Sequence, residues 1–340
     1  MKQNSMQKIA IIGAGAFGFA MAKIIGDKHS DKEIFIFDIQ KDYINHIAET
    51  RKHPVFHTKT KLSNNIVASH LLSETVENAD MVLLAISSVY VRGVINNIKP
   101  MLKQGVILLN IAKGLEQKSN LIISEVIKSE LKNFKLKYYI CSLSGGMIAS
   151  EVTKLNPLCA EVACEKIAIA KKVSNFIENK NLRLDVTTDI VGVELAGALK
   201  NVIAIGAGIF DGLRFGESSK SAFISFASRD AQKLAFAMGA KKKTFESGSQ
   251  AWFGDLMTTC FGMSRNRAFG EMIGKTGDVT KAIDTMLDQK ITVEGFRTAK
   301  VAYNIAKRKK LDLPFITMIY KVLYKKMPVQ KFVHDFIGNC

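Results

Sequence analysis

Short apolar runs alternate with longer segments of helical hydrophobic period through about the first half of the chain. A short apolar run bounded by turn-forming residues is typical of a buried strand. Strands are predicted at residues 8–12, 34–37, 81–86, 106–111, 138–142, 158–163 and 182–186. Because strands that alternate with helices form a parallel sheet covered on both faces, the pattern predicts a doubly wound α/β domain over residues 1–189.

The hydrophobic pattern changes after Asp189. Long segments of helical period continue to about Phe336, and they begin with the glycine- and alanine-rich stretch VGVELAGALKNVIAIGAG. Small residues allow the backbones of two helices to approach closely. The second domain, residues 190–340, is therefore predicted to be all helical.

Composition limits the class of protein. The chain has 340 residues, of which 47% are hydrophobic, and this excludes a disordered or fibrous protein. The longest apolar run, residues 9–26, contains four glycines and Lys23, so it is predicted to form a strand, a turn and a helix. With no secretory signal ahead of it and no other segment that could span a bilayer, we expect a cytoplasmic protein without a membrane span.

The cysteines predict no metal site and no disulfide framework, because they are scattered without a CxxC pair or a grouping with histidine. They are expected to be core or surface thiols, at Cys141, Cys159, Cys164, Cys260 and Cys340.

Lysine and arginine exceed aspartate and glutamate by 48 to 31, and the net charge of +17 favours anionic partners such as phosphates, nucleic acid or acidic lipid. The basic runs at residues 241–243 and 307–310 are short and are not interleaved with aromatic residues. We therefore interpret them as solvated surface and expect no specific nucleic-acid partner.

A glycine-rich turn, GAGAFG at Gly13 to Gly18, joins the first predicted strand to a helical segment. In this context Gly13 permits a tight turn, Gly15 lets the backbone approach a pyrophosphate, and Gly18 lets the helix pack on the strand. Asp38 follows at the end of the second predicted strand, where a carboxylate binds the adenosine ribose and repels a 2′-phosphate. The sequence therefore predicts a Rossmann-type domain that prefers NAD to NADP, although nearby Lys41 could soften the preference.

Hydride transfer at an oxygen-bearing carbon needs a proton donor or acceptor. The six histidines lie in the early part of the chain or near its end, which disfavours a histidine-based mechanism. Lys200 instead lies within an apolar helical segment, and desolvation or the nearby charge of Lys113 would lower its pKa. A structural Lys200 paired with Glu194 or another carboxylate remains an equal alternative.

Residues 264–267 read SRNR and follow Gly254-Asp255 closely. The fork of an arginine such as Arg265 suits a phosphate or a carboxylate. A surface helix start is the alternative for this segment.

These motifs resemble those of bacterial NAD(P)-dependent glycerol-3-phosphate dehydrogenases along nearly the full chain. The matching segments are GAGAFG, AKGLE at 112–116, ELAGALKNVIAIGAG at 194–208, GDLMTTC at 254–260, SRNRAFG at 264–270 and VEGFRT at 293–298. The resemblance implies a cytosolic dimer that reversibly reduces dihydroxyacetone phosphate to sn-glycerol 3-phosphate for phospholipid synthesis.

The resemblance extends the site proposed from the residues to the full set that it implies. The predicted catalytic residues are Lys200, which matches the proton acceptor of the family, Lys113 and Asp255. The cofactor site comprises Gly13, Gly15, Ala16, Phe17, Gly18, Asp38, Lys113, Ala149, Arg265, Val293 and Glu294. The substrate site comprises Lys113, Gly145, Met147, Lys200, Asn201, Asp255, Thr259, Ser264, Arg265 and Asn266, of which Arg265 and Asn266 match the pair that holds the phosphate.

The chain departs from the family pattern at residues 144–149, which read SGGMIA where relatives carry SGP, a hydroxyl residue and FA. Met147 cannot make that hydroxyl's hydrogen bonds. Ser87 replaces a common proline, and Trp252-Phe253 replaces Gly-Leu. Two alternatives therefore stay open: a related Rossmann dehydrogenase with a shifted substrate, and a non-catalytic NAD-binding or nucleic-acid-binding protein.

Overall fold

The computed structural model describes residues 6–289 and 291–339, which group into two compact units. The first unit comprises the described residues up to Ala112 together with Ile123–Ile190, and the second comprises Lys113–Ile122 together with the described residues from Val191. The segment after Ala112 thus belongs with the second unit, and the domain limits drawn from the sequence stay a prediction. Cys340 lies outside the described residues.

The first unit is built on an eight-stranded sheet in the order β3-β2-β1-β4-β5-β6-β7-β8. The strands are β1 Lys8–Ile12, β2 Glu33–Phe37, β3 Ile66–Ser69, β4 Met81–Leu84, β5 Val106–Asn110, β6 Tyr138–Ser144, β7 Leu158–Cys164 and β8 Leu182–Thr187. Every neighbouring pair is parallel except β6 and β7, which run antiparallel. The predicted α/β class is confirmed, with one antiparallel pair in a sheet that was expected to be parallel.

Strand β3 was not predicted from the sequence. It has four residues and pairs with β2 at the edge of the sheet formed by the described residues. Ile66 and Ser69 are buried while Val67 is 41% exposed, so the strand carries no continuous apolar run. A short, partly exposed edge strand gives too weak a hydrophobic signal to be found from one sequence.

Helices cover the sheet of the first unit. They are α1 Ala16–Lys28, α2 Lys41–Thr50, α3 Leu72–Val76, α4 Val91–Ile98, α5 Ile123–Glu130, α6 Ala149–Thr153 and α7 Ile167–Ile177. Alternate residues of β1 enter two different apolar clusters, Ile9 and Ile11 in one and Ala10 and Ile12 in the other. Burial on both faces explains why central strands such as β1, β4 and β5 are almost entirely apolar.

The second unit was predicted to be all helical and is mostly helical, with an isolated β-bridge between Leu115 and Ile122. Its helices are α8 Ile190–Gly212, α9 Glu217–Ala237, α10 Asp255–Phe261, α11 Arg265–Thr276, α12 Val279–Asp288, α13 Glu294–Arg308, α14 Pro314–Lys325 and α15 Val329–Gly338. A 3₁₀ turn, Lys242–Phe245, and a π-helical turn, Gln250–Gly254, precede α10.

Helix α8 is long and apolar enough to cross a membrane by length and composition. The apolar pattern of the sequence predicts no such segment after residues 9–26, so this helix departs from the expectation. However, 94% of the apolar window of this helix is buried, which is the burial of a core helix.

Glycines let the backbones of α8 and α11 touch. A Cβ atom at Gly270 would lie 1.9 Å from the carbonyl oxygen of Ile205, and one at Gly208 would lie 2.0 Å from that of Arg267. Because the obstacles are backbone atoms, no side-chain rotation can make room. The small residues that mark the start of the second domain are therefore required by the contact between these two helices.

We predict that Gly270→Ala lowers the free energy of unfolding of the second unit by about 1–3 kcal/mol or more, because α8 and α11 must move apart. Trp252 is the single tryptophan of the chain and is buried in this unit, so its fluorescence reports the unfolding in urea. Gly338→Ala is the control, because a Cβ there meets nothing within 4 Å. Equal urea midpoints for the two variants would contradict the close approach.

Candidate functional site

The glycine-rich turn leaves open space where the sequence predicts a pyrophosphate. Gly13 has a φ of 105°, and a Cβ on it would lie 2.4 Å from the carbonyl oxygen of Ala85. A Cβ on Gly18 would lie 1.9 Å from the carbonyl oxygen of Gly13, so packing alone requires both glycines. Gly15 precedes α1, and a Cβ on it would meet nothing within 4 Å. The approach to the helix N-terminus is thus open to an anion, which fits a dinucleotide.

Asp38 is hydrogen-bonded to the glycine-rich turn. One carboxylate oxygen accepts the backbone N–H of Ala14 at 2.7 Å, and the other accepts that of Gln40 at 3.0 Å. A carboxylate oxygen has two acceptor positions, so each keeps one for a ribose hydroxyl. Asp38 therefore also ties β2 to the glycine turn, a structural role that the sequence analysis did not assign to it.

Two histidines that the sequence analysis considered only for proton transfer support this turn. His57 Nε2 lies 3.1 Å from the carbonyl oxygen of Ala16, and the His53 ring packs edge-on against Phe19. Burial lowers the pKa of His53, whose Nδ1 accepts the backbone N–H groups of Val55 and Phe56. These residues lie in a loop without hydrophobic period, so no sequence pattern identified them.

The segment after β6 carries three of the predicted contacts. A Cβ on Gly145 would lie 2.7 Å from the Cβ of Ala160, so this glycine packs directly on β7. The Met147 side chain is partly buried against the core of the first unit, as are Phe17 and Ala149. Met147 thus packs as a hydrophobic residue, and its contact with a substrate stays a prediction.

In the second unit, three predicted catalytic residues meet in one group, in which Lys200 and Asp255 are buried and Lys113 is partly exposed. Lys200, on α8, places its ammonium 2.9 Å from Asp255 Oδ1 and donates to Thr259 Oγ1 at 2.6 Å. The Lys113 ammonium lies 2.6 Å from the other oxygen, Asp255 Oδ2. We call Lys113, Lys200, Asp255 and Thr259 the lysine–aspartate cluster.

The carboxylate that pairs with Lys200 is Asp255. Lys200 is 6% exposed and Asp255 is 2% exposed, so their charges interact with little solvent screening. Thr259 donates its own hydroxyl hydrogen to the backbone oxygen of Asp255, which leaves its oxygen to accept from Lys200. Lys200 was expected either to be a structural residue paired with a carboxylate or to be the proton acceptor. The ion pair with Asp255 is compatible with both roles.

Burial and the neighbouring charges in the lysine–aspartate cluster shift the pKa values of both Lys200 and Asp255. Burial and the second ammonium on Lys113 lower the pKa of Lys200 from 10.5 to about 8, although Asp255 opposes the shift. Burial would raise the pKa of Asp255, but the charges of Lys113 and Lys200 hold it below its usual value. At neutral pH Asp255 is ionised, and Lys200 is mostly protonated with a minor neutral fraction.

Local structure fixes Asp255 as the first residue of α10. The π-helical turn before it buries Trp252, whose ring centroid lies 4.9 Å from that of Phe245. Ser249 begins the turn and accepts the N–H of Trp252. Trp252 therefore anchors the chain just ahead of Asp255, whereas Phe253 is 43% exposed.

A second polar network joins α8, α11 and α13. Asn266 Nδ2 donates to Asn201 Oδ1 at 2.9 Å, and the backbone N–H of Gly295 donates to Asn266 Oδ1 at 2.9 Å. Val293 precedes α13 and Glu294 begins it, so the network also fixes these two predicted cofactor residues. Asn201 and Asn266 have a structural role here, and their substrate contacts stay a prediction.

The two arginines of the SRNR segment differ. Arg267 donates to Asp211 Oδ2 at 2.7 Å and to the carbonyl oxygen of Gly262 at 2.9 Å, so it is a structural residue. Arg265 is exposed at the start of α11, and within residues 6–289 and 291–339 its guanidinium has no hydrogen bond or ion pair. Ser264 caps the helix by accepting the N–H of Arg267. Arg265 is therefore the arginine available to an anion.

No group of three or more histidine, cysteine, aspartate or glutamate side chains that could hold a metal ion occurs in the described part of the chain.

Two protein-family models match the chain. The model described as NAD-dependent glycerol-3-phosphate dehydrogenase N-terminus matches residues 8–170, and the one described as the C-terminus of the same enzyme matches residues 189–334.

Individual relatives agree with these matches. The chain is 34% identical to a glycerol-3-phosphate dehydrogenase (NAD(P)+) of Clostridium perfringens over 94% of each chain. It is 32% identical to one of Listeria monocytogenes over 98% of this chain and 97% of the relative. Among solved structures, a glycerol-3-phosphate dehydrogenase of Coxiella burnetii has the same fold, with a TM-score of 0.89 at 24% identity over 98% of this chain and 99% of that chain.

The shifted pKa of Lys200 predicts how stability depends on pH. Between pH 8 and 10.5 the unfolded chain binds more protons at this lysine than the folded chain, so the contribution of Lys200 to the free energy of unfolding rises with pH. We expect the difference between wild type and Lys200→Met to grow by about 1.4 kcal/mol per pH unit in this window, to about 3 kcal/mol. Urea unfolding followed by Trp252 fluorescence measures it.

Lys220→Met is the matched control. Burial would lower the pKa of Lys220, but hydrogen bonds to Asp211 and Glu217 raise it, so its contribution to stability does not grow over the same window. A wild-type minus Lys200→Met difference that stays flat with pH would mean that Lys200 titrates at its usual value.

Proposed function

Because the chain belongs to the NAD-dependent glycerol-3-phosphate dehydrogenase family, we propose that it reversibly reduces dihydroxyacetone phosphate to sn-glycerol 3-phosphate, with NADH preferred to NADPH. The observation that carries the proposal is the lysine–aspartate cluster, in which the buried ammonium of Lys200 has a pKa of about 8. As in the family that the sequence resembles, the product would supply glycerophospholipid synthesis, and the protein would be a cytoplasmic homodimer.

Lys200 is the proton donor in the reductive direction and the acceptor in the oxidative one. When bound, the nicotinamide supplies or accepts the hydride at the reacting carbon. A group with a pKa of about 8 is populated in both protonation states near neutral pH, which suits a reversible reaction. Asp255 orients Lys200, and the fixed charge of Lys113 stabilises negative charge that develops on the substrate oxygen.

The phosphate of the substrate fits the start of α11. Arg265 offers a guanidinium without a protein partner among the described residues, and the positive end of the α11 dipole lies beside it. Asn266 and Ser264 belong to the same first turn and hold its backbone in place. A planar guanidinium binds two phosphate oxygens at once, which favours the phosphorylated ketone over its dephosphorylated analogue.

Preference for NADH is supported by Asp38. Its half-buried carboxylate is held by Ala14 and Gln40 beside the glycine turn, where it accepts a ribose hydroxyl and repels a 2′-phosphate. Ile39 follows it, 80% exposed, where a residue that binds a 2′-phosphate would carry positive charge. Gly13, Gly15, Ala16, Phe17 and Gly18 hold the turn and the start of α1 open to the pyrophosphate.

We predict that the protein oxidises NADH in the presence of dihydroxyacetone phosphate and that Lys200→Met lowers kcat by about 10²–10⁴-fold, the usual contribution of general acid–base catalysis. Loss of absorbance at the NADH band measures both, and NADPH in a parallel reaction should support slower turnover. Because Met retains the apolar volume of the lysine side chain, circular dichroism should show that the variant is folded.

Two outcomes of this assay would contradict the proposal. Turnover that survives Lys200→Met would exclude Lys200 as the proton donor. No oxidation of either cofactor with dihydroxyacetone phosphate, but oxidation with another ketone, would favour the related dehydrogenase with a shifted substrate, for which Met147 in place of a hydroxyl residue is the first position to test.

We predict that Arg265→Ala raises KM for dihydroxyacetone phosphate by about 10- to 100-fold with a smaller effect on kcat, because a charge-assisted phosphate contact contributes about 1.5–3 kcal/mol. Arg308→Ala removes an exposed arginine from the end of α13 and is the control for net charge. An equal rise of KM in both variants would mean that the general positive field, and not Arg265, binds the phosphate.

A further inference from the structure

Two thiols face each other across the antiparallel strands β6 and β7. Cys141 and Cys164 are direct register partners, so their side chains lie on the same face of the sheet. Both are buried in the core of the first unit, at 0% and 2% exposure, and their sulfur atoms are hydrogen-bonded to each other. Opposed residues of antiparallel strands have Cα atoms about 4.5–5.5 Å apart, a distance that a disulfide spans.

The surroundings of the two sulfur atoms differ. The backbone N–H of Lys166 donates to the Cys164 sulfur, and Lys166 is the residue that precedes the 11-residue helix α7. The hydrogen bond from Cys141, the Lys166 N–H and the Lys166 charge lower the pKa of Cys164, although burial and the Glu165 charge oppose the shift. The shared hydrogen bond and burial raise the pKa of Cys141. Cys164 is thus the more acidic thiol of the pair and the one that forms a thiolate first.

A small oxidant has a route to this pair. A surface cavity of about 260 Å³ lies where β6 begins and β7 ends, and Cys164 is among the residues that line it. Its charged lining residues are Lys128, Lys137, Glu165 and Lys166, of which Lys128 is paired with Glu165. The Lys166 charge favours the thiolate form of Cys164, and the Glu165 charge opposes it. Water occupies about 30 Å³ in the liquid, so the cavity has room for a peroxide molecule.

We propose that Cys164 is a site of oxidation by peroxides and that Cys141 then closes a disulfide between β6 and β7. In the first step the Cys164 thiolate attacks one peroxide oxygen, the O–O bond breaks, and Cys164 becomes a sulfenic acid while hydroxide leaves. In the second step the Cys141 sulfur attacks the Cys164 sulfur, the S–O bond breaks, and water leaves with the Cys141 proton. The peroxide is reduced by the two electrons that the thiols lose.

The other described cysteines lack this arrangement. Cys260 is buried in the second unit, and burial raises its pKa to about 12, so it is a poor nucleophile. Cys159 is exposed, but its register partner on β8 is Arg183. Cys159 is therefore the control for exposure without a facing thiol.

The test uses the full chain with Cys340→Ser, which removes the thiol outside the described residues. The reduced protein is treated with hydrogen peroxide, free thiols are alkylated, and peptides are mapped by mass spectrometry. Cleavage after Lys154 separates Cys141 from Cys164, and cleavage after Glu161 separates Cys159 from Cys164. We expect a peptide that links Cys141 to Cys164, formed equally in Cys159→Ser and lost on reduction with dithiothreitol.

Two variants test the order of the steps. In Cys141→Ser the sulfenic acid cannot be resolved, so a dimedone probe should label Cys164 at least several-fold more than Cys159. In Cys164→Ser neither the disulfide nor labelling of Cys141 should occur. Absence of the linked peptide from the protein that retains both cysteines, or faster labelling of Cys159 than of Cys164, would overturn the proposal. The disulfide map needs no variant of either strand, so it decides the question even if a serine variant does not fold.

Discussion

One buried carboxylate, that of Asp255, holds two ammonium groups together inside the second unit. Lys113 and Lys200 would repel each other without it, and an unpaired charge in such a place costs several kcal/mol. Each carboxylate oxygen takes one lysine, at 2.6 Å and 2.9 Å, and Thr259 provides a further acceptor for Lys200. The cluster retains a net positive charge, so Lys200 is an ion whose proton is held less tightly than that of an exposed lysine.

The surrounding structure is arranged to keep this group fixed. The π-helical turn anchored by Trp252 ends where Asp255 begins α10, and Thr259 follows one helical turn later. Lys200 lies on α8, whose glycines let α11 approach at backbone distance. The Asn201–Asn266–Gly295 network then joins α11 and α13 to the residue after Lys200. Close packing of backbones and satisfied amide groups leave the lysine little freedom to move, which is the precondition for directed proton transfer.

The sequence predicted those features that depend on short-range pattern. The limits of β1 are those expected from its apolar run, because a central strand buried on both faces is continuous in sequence. Lys200 could be singled out because a lysine in an apolar helix needs a partner. The partner, Asp255, lies 55 residues further along the chain, so the hydrophobic period of the helix could not identify it. Arg265 and Arg267 are two residues apart in one motif, and only the ion pair of Arg267 with Asp211 shows which of them is structural. The support of the glycine turn by His57 was missed for a similar reason, since it comes from a loop that has neither period nor motif.

The antiparallel pairing of β6 and β7 is the departure from prediction with the largest chemical consequence. A parallel sheet was expected, and in the sequence the cysteines are scattered, so no pairing of thiols was foreseen. Strands β7 and β8 run opposite to the other six, so the end of β7 lies beside the start of β6. This brings Cys164 opposite Cys141 at the same edge as the N-terminus of α7. A parallel β7 would have its amino end at that edge, with Leu158 there instead of Cys164. The pairing of the two thiols and the position of α7 beside Cys164 thus follow from the same change of strand direction. Neither the composition nor the cysteine spacing indicates the direction of a strand.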